Sequence, residues 1–217
     1  REETEYIRFP ERLVLPVFAN RLELLSLIKQ GVTIAEIRKP AEPNAFFLDS
    51  SVTEQTEWAD DLFARTKFND SGVTVCILDT GVNNNHKLIS PYMPISGTTV
   101  NSSWGTQDKN GHGTNMAGVI LYNDLKRYLI TNASFELNHT IESVKIIEPS
   151  SPMPTQVTLY GSVTEQAALL PEISNPTVKR IYCMAITDPT SGSNDGQPSS
   201  WSAAVDKISA EGKKRLF

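Results

Sequence analysis

Two short segments of this 217-residue chain combine residue types that could perform acid–base chemistry. In the first, Asp79 directly follows the mostly apolar run 73–78 and is followed by Thr80 and Gly81. Such a run predicts a strand that is covered on both faces of a parallel sheet. A charge at its end must be paired or hydrogen-bonded, because an isolated buried charge is very costly. By itself the segment fits a catalytic carboxylate at the edge of the sheet and an aspartate that caps a turn equally well.

The second segment places His112 between two glycines, before a predicted helix over 113–122. The flanking glycines allow a tight backbone turn and leave the imidazole room to face a substrate. Gly118 should let this helix pack closely against its neighbour. Because a helix N-terminus disfavours an imidazolium, a carboxylate is needed nearby to stabilise the charged ring. Asp79 could supply that carboxylate.

Together the two segments resemble the motifs of the subtilisin-like serine peptidase (subtilase) family, whose catalytic aspartate, histidine and serine follow in this chain order. The matching residues are Leu-Asp-Thr-Gly-Val at 78–82, then His86, then Gly-His-Gly-Thr-Asn-Met-Ala-Gly at 111–118. The resemblance implies that His112 is the general base, and that Asp79 orients it and stabilises its cation. For His86 it implies a structural place on the loop after the aspartate strand.

The resemblance also implies two edges that bind the substrate backbone. The end of one family strand matches Ala185, Ile186 and Thr187, and a second edge matches Tyr160 and Gly161. A peptide would join such an edge as an added strand. The family usually has Asn-Met-Ser-Leu-Gly in the first segment, where this chain has Cys-Met-Ala-Ile-Thr. A threonine therefore replaces a glycine beside the expected substrate.

The serine motif of the family, Gly-Thr-Ser, does not occur in the sequence. The Gly-Thr pairs that begin at residues 97, 105 and 113 are followed by threonine, glutamine and asparagine. The resemblance places the oxyanion-hole asparagine on the strand after a helix over 200–211 that Gly212 ends. Because both groups contribute heavily to catalysis, we expect the chain to be inactive by itself. We also expect an exposed sheet edge through which copies could associate.

The elements that must position these residues alternate between strands and helices. Capping boxes at Asn20 and Ser51 predict two helices within residues 1–70, which we interpret as an N-terminal extension or approach segment. Residues 71–217 form the predicted partial catalytic domain. Its predicted strands lie at 73–78, 143–147 and 180–186. Its predicted helices lie at 113–122 and 200–211, and a third begins at a capping box formed by Ser162 and Glu165. This order predicts an α/β fold with a doubly wound, mostly parallel sheet, subtilisin-like and truncated.

Composition narrows the possible partners. A net charge of −5 and a pI of about 5.3 give no basic face for nucleic acid. No run of 18 apolar residues predicts a membrane span, and the charged N-terminus has no signal-peptide core, which favours a cytoplasmic location. We expect a peptide or protein substrate and no cofactor, and the sequence assigns no residue as a metal ligand. Cys76 and Cys183 lie in apolar runs and are expected to be free thiols.

Three other interpretations account for parts of the pattern. The departures at Cys183, Ala185 and Thr187 allow a catalytically inactive relative that serves as a binding or regulatory module. Asp-Thr-Gly also occurs in aspartic peptidases, which the second motif and the α/β alternation disfavour. A nucleotide-binding α/β fold is disfavoured because no glycine-rich phosphate loop follows the strand at 73–78.

Overall fold

The computed structural model describes residues 6–31, 33–38, 45–149, 159–187, 198–211 and 215–217. The chain forms two compact units, Arg1–Pro43 and Asn44–Phe217. The interpretation of residues 1–70 as an approach segment before a partial catalytic domain stays a prediction. Gly212, the expected helix stop, lies outside the described residues.

Within its described residues, the first unit contains a short hairpin and one helix. Strands β1 (Ile7–Arg8) and β2 (Leu13–Val14) pair antiparallel, and helix α1 spans Arg21–Lys29. The predicted capping box is confirmed: the Asn20 side chain accepts hydrogen bonds from the backbone of Leu22 and Glu23, and the Glu23 carboxylate accepts from Asn20 N at 2.7 Å. These bonds satisfy N–H groups that a helix start would otherwise leave unpaired.

The second unit alternates helices and strands along the chain. Its helices are α2 (Ala45–Asp49), α3 (Val52–Arg65), α4 (His112–Tyr122), α5 (Leu125–Leu129), α6 (Tyr160–Ser174) and α7 (Ser200–Ala210). Its strands are β3 (Thr66–Phe68), β4 (Val73–Asp79), β5 (Thr98–Thr99), β6 (Phe135–Leu137), β7 (Thr140–Lys145) and β8 (Lys179–Cys183). The central sheet has the order β5-β7-β4-β8 and every pair in it is parallel. A separate parallel pair joins β3 and β6.

Both faces of β4 are buried under helices. Ile77 packs into a core with Leu62 of α3 and Ala117 of α4, while Cys76 and Leu78 face the core formed with α6 and α7. All three strand residues are 0% exposed. Full burial of an aliphatic side chain such as Ile77 contributes about 1.5–3 kcal/mol. Helices on both faces of a parallel sheet confirm the predicted doubly wound α/β fold.

Several element boundaries differ from the prediction. Strand β7 spans Thr140–Lys145 instead of 143–147. Strand β8 ends at Cys183 instead of residue 186, because its register with β4 ends where Cys183 lies beside Ile77. The predicted capping box at Ser162 and Glu165 is wrong, since α6 already begins at Tyr160 without a side-chain cap. Both signals are local, whereas the pairing of β8 and the start of α6 depend on contacts with distant elements.

The residues after α7 return to the sheet. Leu216 forms a parallel bridge with Ile181, and its carbonyl accepts a 2.8 Å hydrogen bond from Tyr182 N. Phe217 stacks on the Tyr182 ring at 4.8 Å. Leu216 and Phe217 therefore lie alongside β8 through one isolated bridge and one ring contact. No helix among the described residues has the length and apolar character that crossing a bilayer requires.

Candidate active site

Asp79 ends β4 at the carboxyl edge of the central sheet. Its side chain is 1% exposed, and its Oδ1 accepts a 2.7 Å hydrogen bond from Thr80 N. The imidazole of His112 lies next to it, with Nδ1 at 2.8 Å from Oδ1 and 2.9 Å from Oδ2. The structure thus brings the two predicted catalytic residues into direct contact. Nδ1 bonded to a carboxylate is the arrangement that leaves Nε2 of a neutral ring with a free lone pair.

His112 is the first residue of α4 and is presented outward. Gly111 precedes it with φ +87°, a left-handed conformation that glycine adopts without strain. The side chain of His112 remains 46% exposed although its partner carboxylate is buried. Within the part of the chain that the structure describes, Nε2 has no hydrogen-bond partner. The imidazole ring is therefore accessible from solvent, whereas the carboxylate that it contacts is shielded.

A close backbone approach holds the two segments together. A Cβ on Gly113 would lie 2.0 Å from the carbonyl oxygen of Gly81, and one on Gly81 would lie 2.4 Å from the carbonyl oxygen of Thr106. A Cβ on Gly118 would meet nothing within 4 Å. The expectation that Gly118 permits close packing was wrong, because the residue in close contact is Gly113.

Asp108 and Thr80 link the Asp79 and His112 segments, and sequence reasoning missed both. The Thr80 hydroxyl lies 3.1 Å from Asp79 Oδ1 and 2.9 Å from Asp108 Oδ1, and it accepts from Gly113 N at 3.1 Å. Asp108 is 5% exposed. The available signal was an aspartate shortly before a glycine at a helix start, where side-chain acceptors are favoured.

Lys145 is a buried cation at the same sheet edge. It lies beside Asp79 in the strand register and is 0% exposed. Its Nζ donates to the Gln107 carbonyl at 2.7 Å and pairs with Glu148 at 2.9 Å. Lys109 pairs with the same Glu148 carboxylate at 2.9 Å. These contacts tie the loop before α4 to the end of β7.

A cavity of about 170 Å³ opens on the same edge of the sheet. Three of the predicted substrate residues, Tyr160, Ile186 and Thr187, line it. Most of its other walls are aromatic or aliphatic, and they include Trp104, Ile146, Ile147, Val163 and Trp201. The N–H groups of Ile146 and Ile147 donate to the Asp79 carbonyl at 2.8 and 3.4 Å, which connects the cavity wall to the end of β4.

The other two predicted substrate residues lie outside the cavity wall. A Cβ on Gly161 would come within 2.7 Å of Ala204 Cβ, so this glycine provides room for the packing of α6 on α7. Ala185 is exposed between the half-buried Met184 and Ile186. Its backbone follows β8 at the carboxyl edge, where an added strand would have to pair.

Neither cysteine offers an activated thiol. Burial strongly raises the pKa of Cys76, and burial followed by the charge of Asp79 raises the pKa of Cys183. Because the thiolate is the nucleophile, both side chains are poorly suited to attack a carbonyl at neutral pH. His86 accepts a 3.2 Å hydrogen bond from Leu88 N through its own Nδ1, which is a local turn contact. Among the described residues no group of three or more metal-ligating side chains is found.

One comparison with known proteins gives a match. A family model described as the subtilase family covers residues 70–217, which is more than half of the chain. Searches of curated proteins and of solved structures gave no match. The matched range contains the site from the end of β4 to the cavity.

Proposed function

The chain belongs to the subtilase family, and we propose that it contributes Asp79 and His112 to the Asp-His-Ser triad of a serine endopeptidase. The observation that supports this function is the 2.8 Å contact between His112 Nδ1 and the buried Asp79 carboxylate. The carboxylate holds the ring in the Nδ1–H tautomer and stabilises the imidazolium that forms during turnover.

In the proposed mechanism, Nε2 of His112 takes the proton of a serine hydroxyl as that hydroxyl attacks the peptide carbonyl. The same nitrogen then returns the proton to the leaving amine. Asp79 does not itself take up the proton. The exposure of the ring supports this role, because the reacting groups must approach it from the solvent side.

We propose that the serine and the oxyanion donor are not among these 217 residues, because the sequence contains no Gly-Thr-Ser and no asparagine after helix α7. In subtilisin itself, removal of the serine lowers kcat roughly two-million-fold, and removal of one oxyanion donor lowers it by about 100- to 1,000-fold. We therefore propose that these 217 residues alone hydrolyse no peptide bond at a measurable rate.

Substrate binding is proposed at the two edges that flank the cavity. The backbone of 185–187 would pair with an extended peptide, and the cavity lined by Tyr160, Ile186 and Thr187 would receive one of its side chains. The aromatic and aliphatic walls favour an apolar side chain there. A direct test is NMR titration of the chain with short peptides that carry phenylalanine or aspartate at each position in turn. The phenylalanine peptides should perturb the cavity amides more strongly, and equal effects would contradict the proposal.

The enzymatic proposal is tested by labelling with a fluorophosphonate serine probe. The protein translated from the complete coding sequence and the 217 residues alone would be treated in parallel, together with an H112A variant of the former. We expect labelling and casein cleavage only in the unmodified complete protein. If that protein neither reacts nor cleaves, the peptidase assignment fails, and peptide binding without cleavage would favour a binding or regulatory module.

A further inference from the structure

We propose that Asp108 is a positioning residue, whose carboxylate fixes the start of α4 against the end of β4 so that His112 meets Asp79. The proposal rests on the proposed function, because it assigns to this contact a role in orienting the base. Asp108 is itself buried, with 5% of its surface exposed. It acts through the neighbours of the pair rather than on the reacting atoms.

Both oxygens of the Asp108 carboxylate accept several hydrogen bonds. Oδ1 accepts from Gly111 N at 2.9 Å and Asn110 N at 3.2 Å, and it lies 2.9 Å from the Thr80 hydroxyl. Oδ2 accepts from Thr114 at both N and Oγ1, at 2.8 and 2.7 Å. A carboxylate offers about four lone-pair sites, so its accepting capacity is fully used. The donors at 110, 111 and 114 flank His112 in the chain, and the hydroxyl of Thr80 directly follows Asp79.

These contacts replace the missing cap of α4. Its N-cap residue is a glycine, which has no side-chain oxygen, and the first N–H groups of a helix have no partner within it. In this helix the first three N–H groups are satisfied by side chains from outside. The acceptors are Asn110 Oδ1 for His112, Thr80 Oγ1 for Gly113 and Asp108 Oδ2 for Thr114, at 3.0, 3.1 and 2.8 Å. A negative charge at this position is also favoured by the helix dipole.

Asn83 clamps the backbone of Asp108 from the loop after β4. Its side-chain amide donates to the Asp108 carbonyl at 2.9 Å, and its side-chain oxygen accepts from Asp108 N at 3.1 Å. Asn83 N also donates to the Thr114 hydroxyl at 3.1 Å. The carboxylate is thus held rigidly between the two segments that it joins.

Asp108 is ionised at neutral pH. Burial opposes its ionisation, but the hydrogen bonds from Thr114, Gly111 and Thr80 outweigh burial and hold the pKa of Asp108 below its ordinary value. An ionised acceptor binds N–H and O–H donors about twice as strongly as a neutral one. The link between the segments is therefore made with the carboxylate in its stronger accepting form.

The test is the tautomer of His112, which a purely structural role would leave unchanged. The chain has three histidines, so ¹⁵N labelling of histidine gives few signals, with His86 and His139 as internal references. Spectra would be taken at about pH 8.5, where imidazoles of ordinary pKa are neutral. We expect the Nδ1–H form at His112 in the unmodified chain. In D108N we expect the ratio of Nδ1–H to Nε2–H to fall roughly tenfold, as for the loss of one charged hydrogen bond.

Three further variants make the result decisive. D79N should remove the preference for Nδ1–H and defines the full effect. D70N removes a carboxylate that accepts from Gly72 N in an exposed turn, and it should leave the ratio unchanged. T114V keeps the backbone bond to Asp108 but loses the hydroxyl bond to Asp108 and the hydroxyl acceptor of Asn83 N. It should lower the ratio less than D108N, because the Asp108 carboxylate and its other donors remain.

An unchanged His112 ratio in folded D108N would overturn the proposal. If D108N does not fold, an unchanged ratio in T114V would overturn it instead. The tautomer measurement requires no hydrolysis, so it can support the role of Asp108 even if the serine-probe experiment fails. Equally, the serine probe can react even if D108N leaves the tautomer ratio unchanged.

Discussion

Replacement of Gly113 by alanine should destabilise the chain, whereas the same replacement at Gly118 on the same helix should not. A Cβ at Gly113 would lie 2.0 Å from the Gly81 carbonyl oxygen and 3.3 Å from Asp79 Cβ. Relaxed non-bonded contacts between carbon atoms are about 3.5–4.0 Å, so one backbone segment would have to move by more than about 1 Å. The opposing atom is backbone and cannot rotate away.

The size of the effect follows from two contributions. Alanine is favoured over glycine in a helix interior by about 1 kcal/mol, which applies to Gly118 and only in part to Gly113 in the first turn of α4. Overpacking a tight contact costs about 1–3 kcal/mol, which applies only to Gly113. In the comparison both contributions favour G118A, so G113A should unfold at least about 1–3 kcal/mol more easily than G118A. The free energy of unfolding of G118A should equal that of the unmodified chain or exceed it by up to about 1 kcal/mol.

The assay is urea denaturation followed by tryptophan fluorescence. All three tryptophans lie in the second compact unit, so the signal reports the unit that contains the site. Equal slopes of free energy against urea are needed before midpoints are compared. A G113A midpoint equal to or above that of G118A would refute the close contact between α4 and the end of β4. The His112 tautomer should also change in G113A and not in G118A.

Three other predictions follow from the same contacts. The destabilisation caused by D108N should shrink as pH falls below about 4, because a carboxyl with a lowered folded pKa stabilises the fold only above that range; urea midpoints between pH 7 and pH 3 measure this, and a constant difference would contradict it. T80V should lower the free energy of unfolding by about 1–3 kcal/mol, because Gly113 N loses its acceptor. T80S keeps the hydroxyl and should lower it little, and the same denaturation assay measures both variants. Copies of the chain should associate through β8, because within the described residues this edge strand is bridged on its outer side only at Leu216. Sedimentation should then become faster as the protein concentration rises, and a monodisperse monomer would argue against association.

Local sequence signals predicted helix starts correctly where the interactions join residues that are close in the chain. The capping boxes at Asn20 and Ser51 both form as predicted, because each involves side chains and N–H groups within one helical turn. The same kind of signal failed at Ser162, where α6 begins earlier. There Gly161 packs against Ala204 and Tyr160 contacts the Trp201 ring at 5.0 Å, so contacts with α7 accompany the earlier start.

In the candidate site, too, features that are local in the sequence were predicted, whereas features that depend on tertiary contacts were not. The Asp79 and His112 motifs were recognisable because their residue types and order are specific to the family. Asp108 was missed because its partners lie in two segments, one after the end of β4 and one at the start of α4, which only the folded chain brings together. Lys145 was missed because a lysine at the end of a strand gives no indication of which carbonyl or carboxylate will receive it. Pairs of motifs can therefore be predicted from sequence, whereas the groups that orient them depend on tertiary structure.

The pair of catalytic candidates behaves as one rigid unit, because its two segments are joined by backbone and buried polar contacts. The approach of Gly113 to Gly81, the Thr80 hydroxyl and the Asp108 carboxylate all cross the same boundary between the end of β4 and the start of α4. None of these contacts involves a residue after Lys145 in the chain. We therefore expect the orientation of His112 to depend mainly on the contacts between the end of β4 and the start of α4. A serine carried by another element needs to be placed correctly against this one unit only, and the His112 tautomer should be the same whether or not that serine is present.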